Sequence, residues 1–454
     1  MAPFIVSSFG LFVMGLFQGL FPAPSWQTFL LLTCGWALTT ECHTITTYLW
    51  LTGASSVKHF SRFYVFLGGA LYTARWQLWG RIIRVAAQWV PPGESIVIEV
   101  DDSTKKKAGP HIEGVAHYRN GAGSARQEYR TLRGLNFVWG IMRVPLPCWP
   151  GQRVSVPIGL SLYLKEEQAR KLNLPYQSRS ALAREIVAFV AAQLPARQVR
   201  GLGDGGYATK DYLQQLPATV HVVGRMLITG KLYAPPPPPR GPRRGCPPKK
   251  GPVLGSPKTL ARKRSGWQPH PTEAGALVQA WTGLWHTVLP GRLIRVVVVR
   301  RPTPLRPRSP KRRKPRPPVE AFFTTDLTLS VEAILAQYRD RWAVEITLRD
   351  SNAFAGFGQD QCRKYERVVG ANTLRLLLAA ARTLWFVKQT SHAGPFDLQR
   401  ARPWYRHKCA PSQLDIVWAC REALQDAGVF PIPRFTPAPA INQEPPEIAL
   451  PLAA

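Results

Sequence analysis

Apolar positions divide the chain into stretches of different texture. Over residues 26–38, 44–51 and 59–85 they recur at helical spacing with few β-branched runs, so helices are expected there. Pro91, Pro92 and Gly93 close that region. β-Branched runs follow, predicting strands at 95–100, 137–144 and 154–164 and, after a helix at 180–194, a strand-like approach to 199–207. Thr209 suits the cap of a short helix at 210–216, and 221–227 returns as a strand. Later, 293–300 and 321–326 read as strands, Ser330 and Glu332 open a helix running through Tyr338, and 374–386 is an apolar helix. Strands alternating with helices predict an α/β sheet, in which functional groups gather at strand ends.

Between Arg240 and Glu320 the texture changes. Five prolines precede this stretch, which holds twenty Lys and Arg against two acids, Glu273 and Glu320, and reads as an insertion lying along phosphates or as a solvated linker. The expected organisation is a helical module at 1–92, a first part of the sheet domain at 93–232, the basic insertion at 233–318, a second part of the sheet domain at 319–425 and a Pro-rich, disordered tail at 426–454.

The charge sharpens this picture. With 59 basic and 27 acidic residues the chain carries +32, which points to a polyanionic partner, nucleic acid first. Seven scattered cysteines without a C-x-x-C pair suit a reducing cytosol, and nine histidines without a zinc-type spacing argue against a zinc enzyme. The apolar start is broken by Gln18, Pro22 and Pro24, so no membrane span is expected.

Candidate chemistry starts from the helix after Ser330. Tyr338, Arg341, Glu345 and Asn352 are three, four and seven residues apart and share one face, setting a carboxylate between a ring and a guanidinium. Taken alone, that pattern is also that of an amphipathic helix with a Glu345–Arg341 or Glu345–Arg349 pair. Upstream, Asp101-Asp102 ends the 95–100 strand and Asp204 is followed by two glycines. If folding gathers Asp102, Asp204 and Glu345, the oxygen-rich site suits two Mg²⁺ ions acting on a phosphodiester.

These residues carry a resemblance. The chain resembles DDE transposases of bacterial insertion sequences, in the branch with a Tyr-x₂-Arg-x₃-Glu-x₆-Lys signature, matched at Tyr338, Arg341 and Glu345. The family's first acid sits in a hydrophobic-Asp-x-Thr setting, matched by Val100 to Thr104, which gives the role to Asp102 with Asp101 as the alternative. The second acid matches Asp204 in Gly203-Asp204-Gly205-Gly206-Tyr207. The likeness extends through residues 36–64, the 322–326 strand, and Trp404 to Lys408 with Ser412 and Asp415.

The resemblance implies an α/β RNase H-like catalytic core interrupted by an insertion between the second and third acids, with an N-terminal helical domain. It implies Asp102, Asp204 and Glu345 as catalytic metal ligands for two Mg²⁺ ions, with Mn²⁺ as a substitute. Tyr338, Arg341, Arg349, Asn352, Arg243, Arg244, Lys249 and Lys250 are the expected DNA contacts. The expected partners are duplex DNA with terminal inverted repeats, target DNA and a second copy of the chain, in the bacterial cytoplasm at the nucleoid. Asn352 departs from the signature, because an amide lacks the lysine's charge; Arg349 or Lys364 then has to supply it, or the protein binds DNA without cutting. A basic RNA-binding protein fits the charge but leaves the three acids unexplained.

Overall fold

A computed structural model describes residues 2–40, 42–119, 130–238, 246–302, 318–399 and 404–429. The amino-terminal region is helical, as its spacing predicts: α1 (Ala2–Val6), α2 (Ser8–Phe17), α3 (Ala23–Leu38), α4 (Ile45–Thr52), α5 (Ser61–Phe66) and α6 (Tyr72–Ala87), with a π-helical turn at Leu67–Leu71 between the last two. Ser7 and Thr44 cap α2 and α4 by accepting the amides of Gly10 and Thr47.

After Pro91 the chain enters the sheet with β1 (Ile96–Lys106), β2 (Ala116–Arg119), β3 (Thr131–Pro145) and β4 (Arg153–Tyr163). Then come α7 (Glu166–Lys171), α8 (Arg179–Gln193), β5 (Val199–Gly203), α9 (Lys210–Leu213) and β6 (Val220–Arg225). β1 runs antiparallel to β3 and parallel to β5, β5 is parallel to β6, and β3 also pairs with β4. This is a mixed α/β sheet, as the alternation of strands and helices predicts.

The described part of the 233–318 stretch is not a linker. It holds β7 (Leu232–Tyr233), β8 (Val253–Gly255), α10 (Pro257–Leu260), β9 (Gln268–Pro269), β10 (Leu277–Leu284) and β11 (Leu293–Arg300). These continue the sheet in the order β12, β11, β10, β7, β8, with β12 (Val319–Thr324) joining them to β6. The valine run of β11 forms a central strand there: Val296 to Val299 are fully buried between β10 and β12. Arg243, Arg244 and the residues from Pro431 onward lie outside the described residues.

The closing helices are α11 (Val331–Asp340), α12 (Trp342–Phe354), α13 (Tyr365–Ala393) and α14 (Gln413–Asp426). Ser330 caps α11 by accepting the Ala333 amide at 3.1 Å, as its position suggested. The helix expected to run unbroken through Tyr338 and Glu345 is interrupted at Arg341, which ends α11 and starts α12.

α13 is buried over most of its length and ties the amino-terminal helices to the sheet. Its Gly370 passes so close to the π-helical turn that a Cβ there would stand 2.0 Å from the Leu67 carbonyl oxygen. One hydrophobic core therefore runs from Phe4 to Leu424, while a smaller one under α11 gathers Leu202, Val223, Phe322, Ile334 and Leu335. Among the described residues no helix is long and apolar enough to cross a membrane.

Candidate active site

β1 carries the centre of the site, and it extends beyond the expected end at Val100. Its pairing with β3 continues to Lys106, whereas its pairing with β5 stops at Glu99–Leu202. Asp101 and Asp204 each lie two residues past that last pair, side by side at the open end of two parallel strands. A crevice of this kind, beyond the carboxyl ends of parallel strands, is where α/β sheets place ligands.

The two-residue period of a strand separates the two neighbouring aspartates. Ile98, Val100 and Asp102 face α8. There the Asp102 carboxylate accepts from Asn136 Nδ2 at 2.9 Å and stands 3.4 Å from Arg179 Nε. Glu99, Asp101 and Lys105 face α12. Arg341 lies 3.9 Å from the Asp101 carboxylate and 3.4 Å from that of Glu345. Asp101, not Asp102, thus shares a face with Glu345. Asp102, the residue expected from the local motif, has its side chain turned by strand geometry into the Asn136–Arg179 network on the opposite face.

The electrostatics do not separate the aspartates: burial first, then the Asp102, Asp101 and Asp204 carboxylates, push the Tyr207 hydroxyl well above its ordinary value. Burial pushes the Asp101 carboxyl up to about 7, with the Asp204 and Asp102 carboxylates adding to it and the Asp102 amide and Arg341 opposing. Burial by itself lowers the Arg341 guanidinium, but Tyr338, Asp101, Glu345 and Asp204 together hold it above its ordinary value. Asp204 is fixed by its own turn, its carboxylate accepting the Gly206 amide at 2.8 Å. A Cβ at Gly206 would stand 2.9 Å from that same oxygen, so the glycine makes room for the carboxylate.

Tyr338 sets its ring 4.6 Å from that of Phe322, tilted by 48°, and receives Arg341 over its face at 5.7 Å. Arg349 is exposed and pairs with its neighbour Asp350 at 2.9 Å. Lys364, the other cation considered for the missing lysine, pairs with Glu113 at 2.8 Å. Asn352 accepts a hydrogen bond from Lys105. Lys249 and Lys250 are exposed ahead of β8, with the Lys250 amine 4.2 Å from the centre of the Tyr233 ring.

Two residues of this face were missed in the sequence. Glu99 is fully buried, 3.7 Å from Arg143, and burial pushes its carboxyl up to about 7. Lys105 lies beside Asn352. Both could have been found by continuing the period of two from Asp101 in each direction.

As a metal site, the crevice offers oxygen donors of the type hard divalent cations take. Asp101, Asp204 and Glu345 supply such donors, with Arg341 between Asp101 and Glu345. Among the described residues no group of three or more acidic, histidine or cysteine side chains stands close enough together to hold a metal ion.

The model of a family described as DDE superfamily endonuclease matches residues 29–287, more than half of the chain. That stretch contains Asp101, Asp102 and Asp204 and ends before Glu345. No curated protein matches the chain.

Proposed function

Since this chain belongs to the DDE superfamily of endonucleases, whose members act on DNA and generally use divalent metal ions, we propose that it is an insertion-sequence transposase. In this reading it cuts the ends of its element and joins them to target DNA, through an RNase H-like core formed by β1 and β3–β6. Asp101, Asp204 and Glu345 are its catalytic acids. The observation that carries the reading is the side-by-side position of Asp101 and Asp204, with Arg341 between Asp101 and Glu345.

The three carboxylates would hold Mg²⁺ or Mn²⁺, two ions in the full site, which supply Lewis acidity toward the phosphodiester. Arg341 holds Glu345 toward β1 and offers donors to a phosphate oxygen. Tyr338 offers its ring to the Arg341 guanidinium, 5.7 Å away. The sheet extension β7–β11 lies between the second and third acids in sequence and widens the basic surface beside the crevice. The helices of residues 1–92 add a second DNA contact, and pairing of two element ends calls for a homodimer on DNA.

A DNA-binding derivative without cleavage is the second reading, favoured by Asn352 in the place of the signature lysine. A labelled duplex carrying the inverted repeats that flank the gene, incubated with Mg²⁺ or EDTA, separates the two. Metal-dependent cuts at the repeat ends are expected from the native protein, and Asp204→Asn and Glu345→Gln should bind the duplex without cutting it. Binding without cuts by the native protein would support the derivative instead.

A further inference from the structure

Lys105 has surroundings that packing alone does not explain. It lies on β1 four residues beyond Asp101 and on the same face, about 13 Å further along the strand. α12 runs over this face, so Glu345 is near Asp101 and Asn352 is near Lys105. The Lys105 amine donates to Asn352 Oδ1 and stands 4.6 Å from the centre of the Phe357 ring. Gly358, at φ +82°, leaves space for the stem: a Cβ there would stand 2.9 Å from Lys105 Cγ.

The amine has no carboxylate partner. Lys107, two residues on, is 3.4 Å from the Asp360 carboxylate, whereas no acidic side chain among the described residues pairs with Lys105. Its environment disfavours the charged form, and burial pushes the amine down to about 8. An ammonium has three donors, and Asn352 takes one. Its other donors suit an anion presenting several acceptors, on the face that holds the acids.

We propose that Lys105 is a DNA-positioning residue that grips a backbone phosphate about four base pairs from the reacting one, with Asn352 and Phe357 holding its amine in place. This rests on the nuclease reading above. The separation follows from the ~13 Å between Asp101 and Lys105, set against the ~3.4 Å rise of a base pair. The cation that the signature places on the helix comes here from the facing strand, and Asn352 becomes its holder. Arg349 and Lys364 are each committed to a neighbouring carboxylate.

The test measures binding of a labelled duplex carrying the flanking repeat over a salt series in EDTA, and cleavage in Mg²⁺, for three proteins. These are the native chain, Lys105→Met and Lys105→Met/Asn352→Lys. Methionine keeps the stem on Phe357 and removes the charge; Lys105→Gln is the second neutral variant should the first misfold by circular dichroism. The neutral variant should flatten the slope of log affinity against log salt by about 0.9, the value of one phosphate contact. Cleavage should fall about tenfold, and the double variant should recover the native slope. An unchanged slope, or a loss that the relocated charge does not repair, would overturn the proposal and return Lys105 to packing. A native protein that never cuts while the slopes behave as stated would overturn the nuclease reading and leave the phosphate contact standing.

Discussion

At the scale of single residues, the informative contrast is between Asp101 and Asp102. They are adjacent and chemically identical, and the motif favours Asp102 with Asp101 as the alternative, yet they face opposite sides of β1. Asp101 stands among Arg341, Asp204 and Glu345, while Asp102 joins Asn136 and Arg179. Replacing each by asparagine separates their roles without changing shape. Asp101→Asn should bind duplex DNA and lose metal-dependent cleavage. Asp102→Asn should keep cleavage and lower stability by about 1 kcal/mol, the scale of a partly exposed ion pair. Cleavage assays beside thermal melts of both variants check this, and loss of cleavage only in Asp102→Asn would return the first acid to that position.

At the scale of elements, the loop between α3 and α4 is the joint on which helices and site depend. His43 is buried there: its Nδ1 lies 3.2 Å from the Tyr48 hydroxyl, its amide donates to Gln359, and its carbonyl accepts from Arg375. Gly356, at φ +74°, lets the end of α12 lie against the ring, since a Cβ there would stand 2.1 Å from His43 Cβ. Burial, with Arg375, Arg382 and Arg421 nearby, lowers the imidazole from its ordinary 6.5 to about 3. The folded state therefore binds fewer protons than the unfolded one between these values, and stability falls as pH drops below 6.5. From pH 6.5 to 5 this one group should remove roughly 2 kcal/mol, a loss that His43→Gln should abolish in denaturant titrations at the two pH values. A loss of the same size in the variant would assign it elsewhere. Local pattern made most elements legible: the runs of β1, β3, β5, β6, β11 and β12, the cap at Ser330 and the apolar face of α13 all follow from spacing and composition. Which neighbours each aspartate meets and the break at Arg341 did not follow. The first depends on how far β3 outruns β5, the second on how α11 and α12 settle separately on the sheet, and both are tertiary facts. The Pro- and Arg-rich composition around 233–318 likewise masked the short strands β7, β8 and β9, for which β10, itself paired to β11, provides the edge.

At the scale of the whole molecule, the position of positive charge relative to the acids sets how DNA would lie. From β1 the sheet runs through β5, β6, β12, β11, β10 and β7 to β8. At about 4.8 Å per strand, that edge is on the order of 30 Å from Asp101, a length spanned by about nine base pairs. Lys249 and Lys250 are exposed just ahead of it, and Lys258, Arg262, Lys263 and Arg264 are exposed on and after α10, together a basic rim on this part of the molecule. Such a rim serves two ends: it discourages pairing of this edge with another sheet, and it offers a track for phosphates distant from the crevice. The second role makes contact depend on DNA length. On a duplex of about thirty base pairs, Lys249→Ala/Lys250→Ala should flatten the salt dependence of binding by nearly two phosphate contacts, about 1.8 in slope. On a duplex of about eight base pairs bearing the same cut site, which cannot reach β8 from Asp101, the same variant should match the native slope. Equal flattening on both lengths would mean that these lysines touch DNA close to the acids or attract it only through the overall field. No flattening on either would leave the rim as protection of a sheet edge alone.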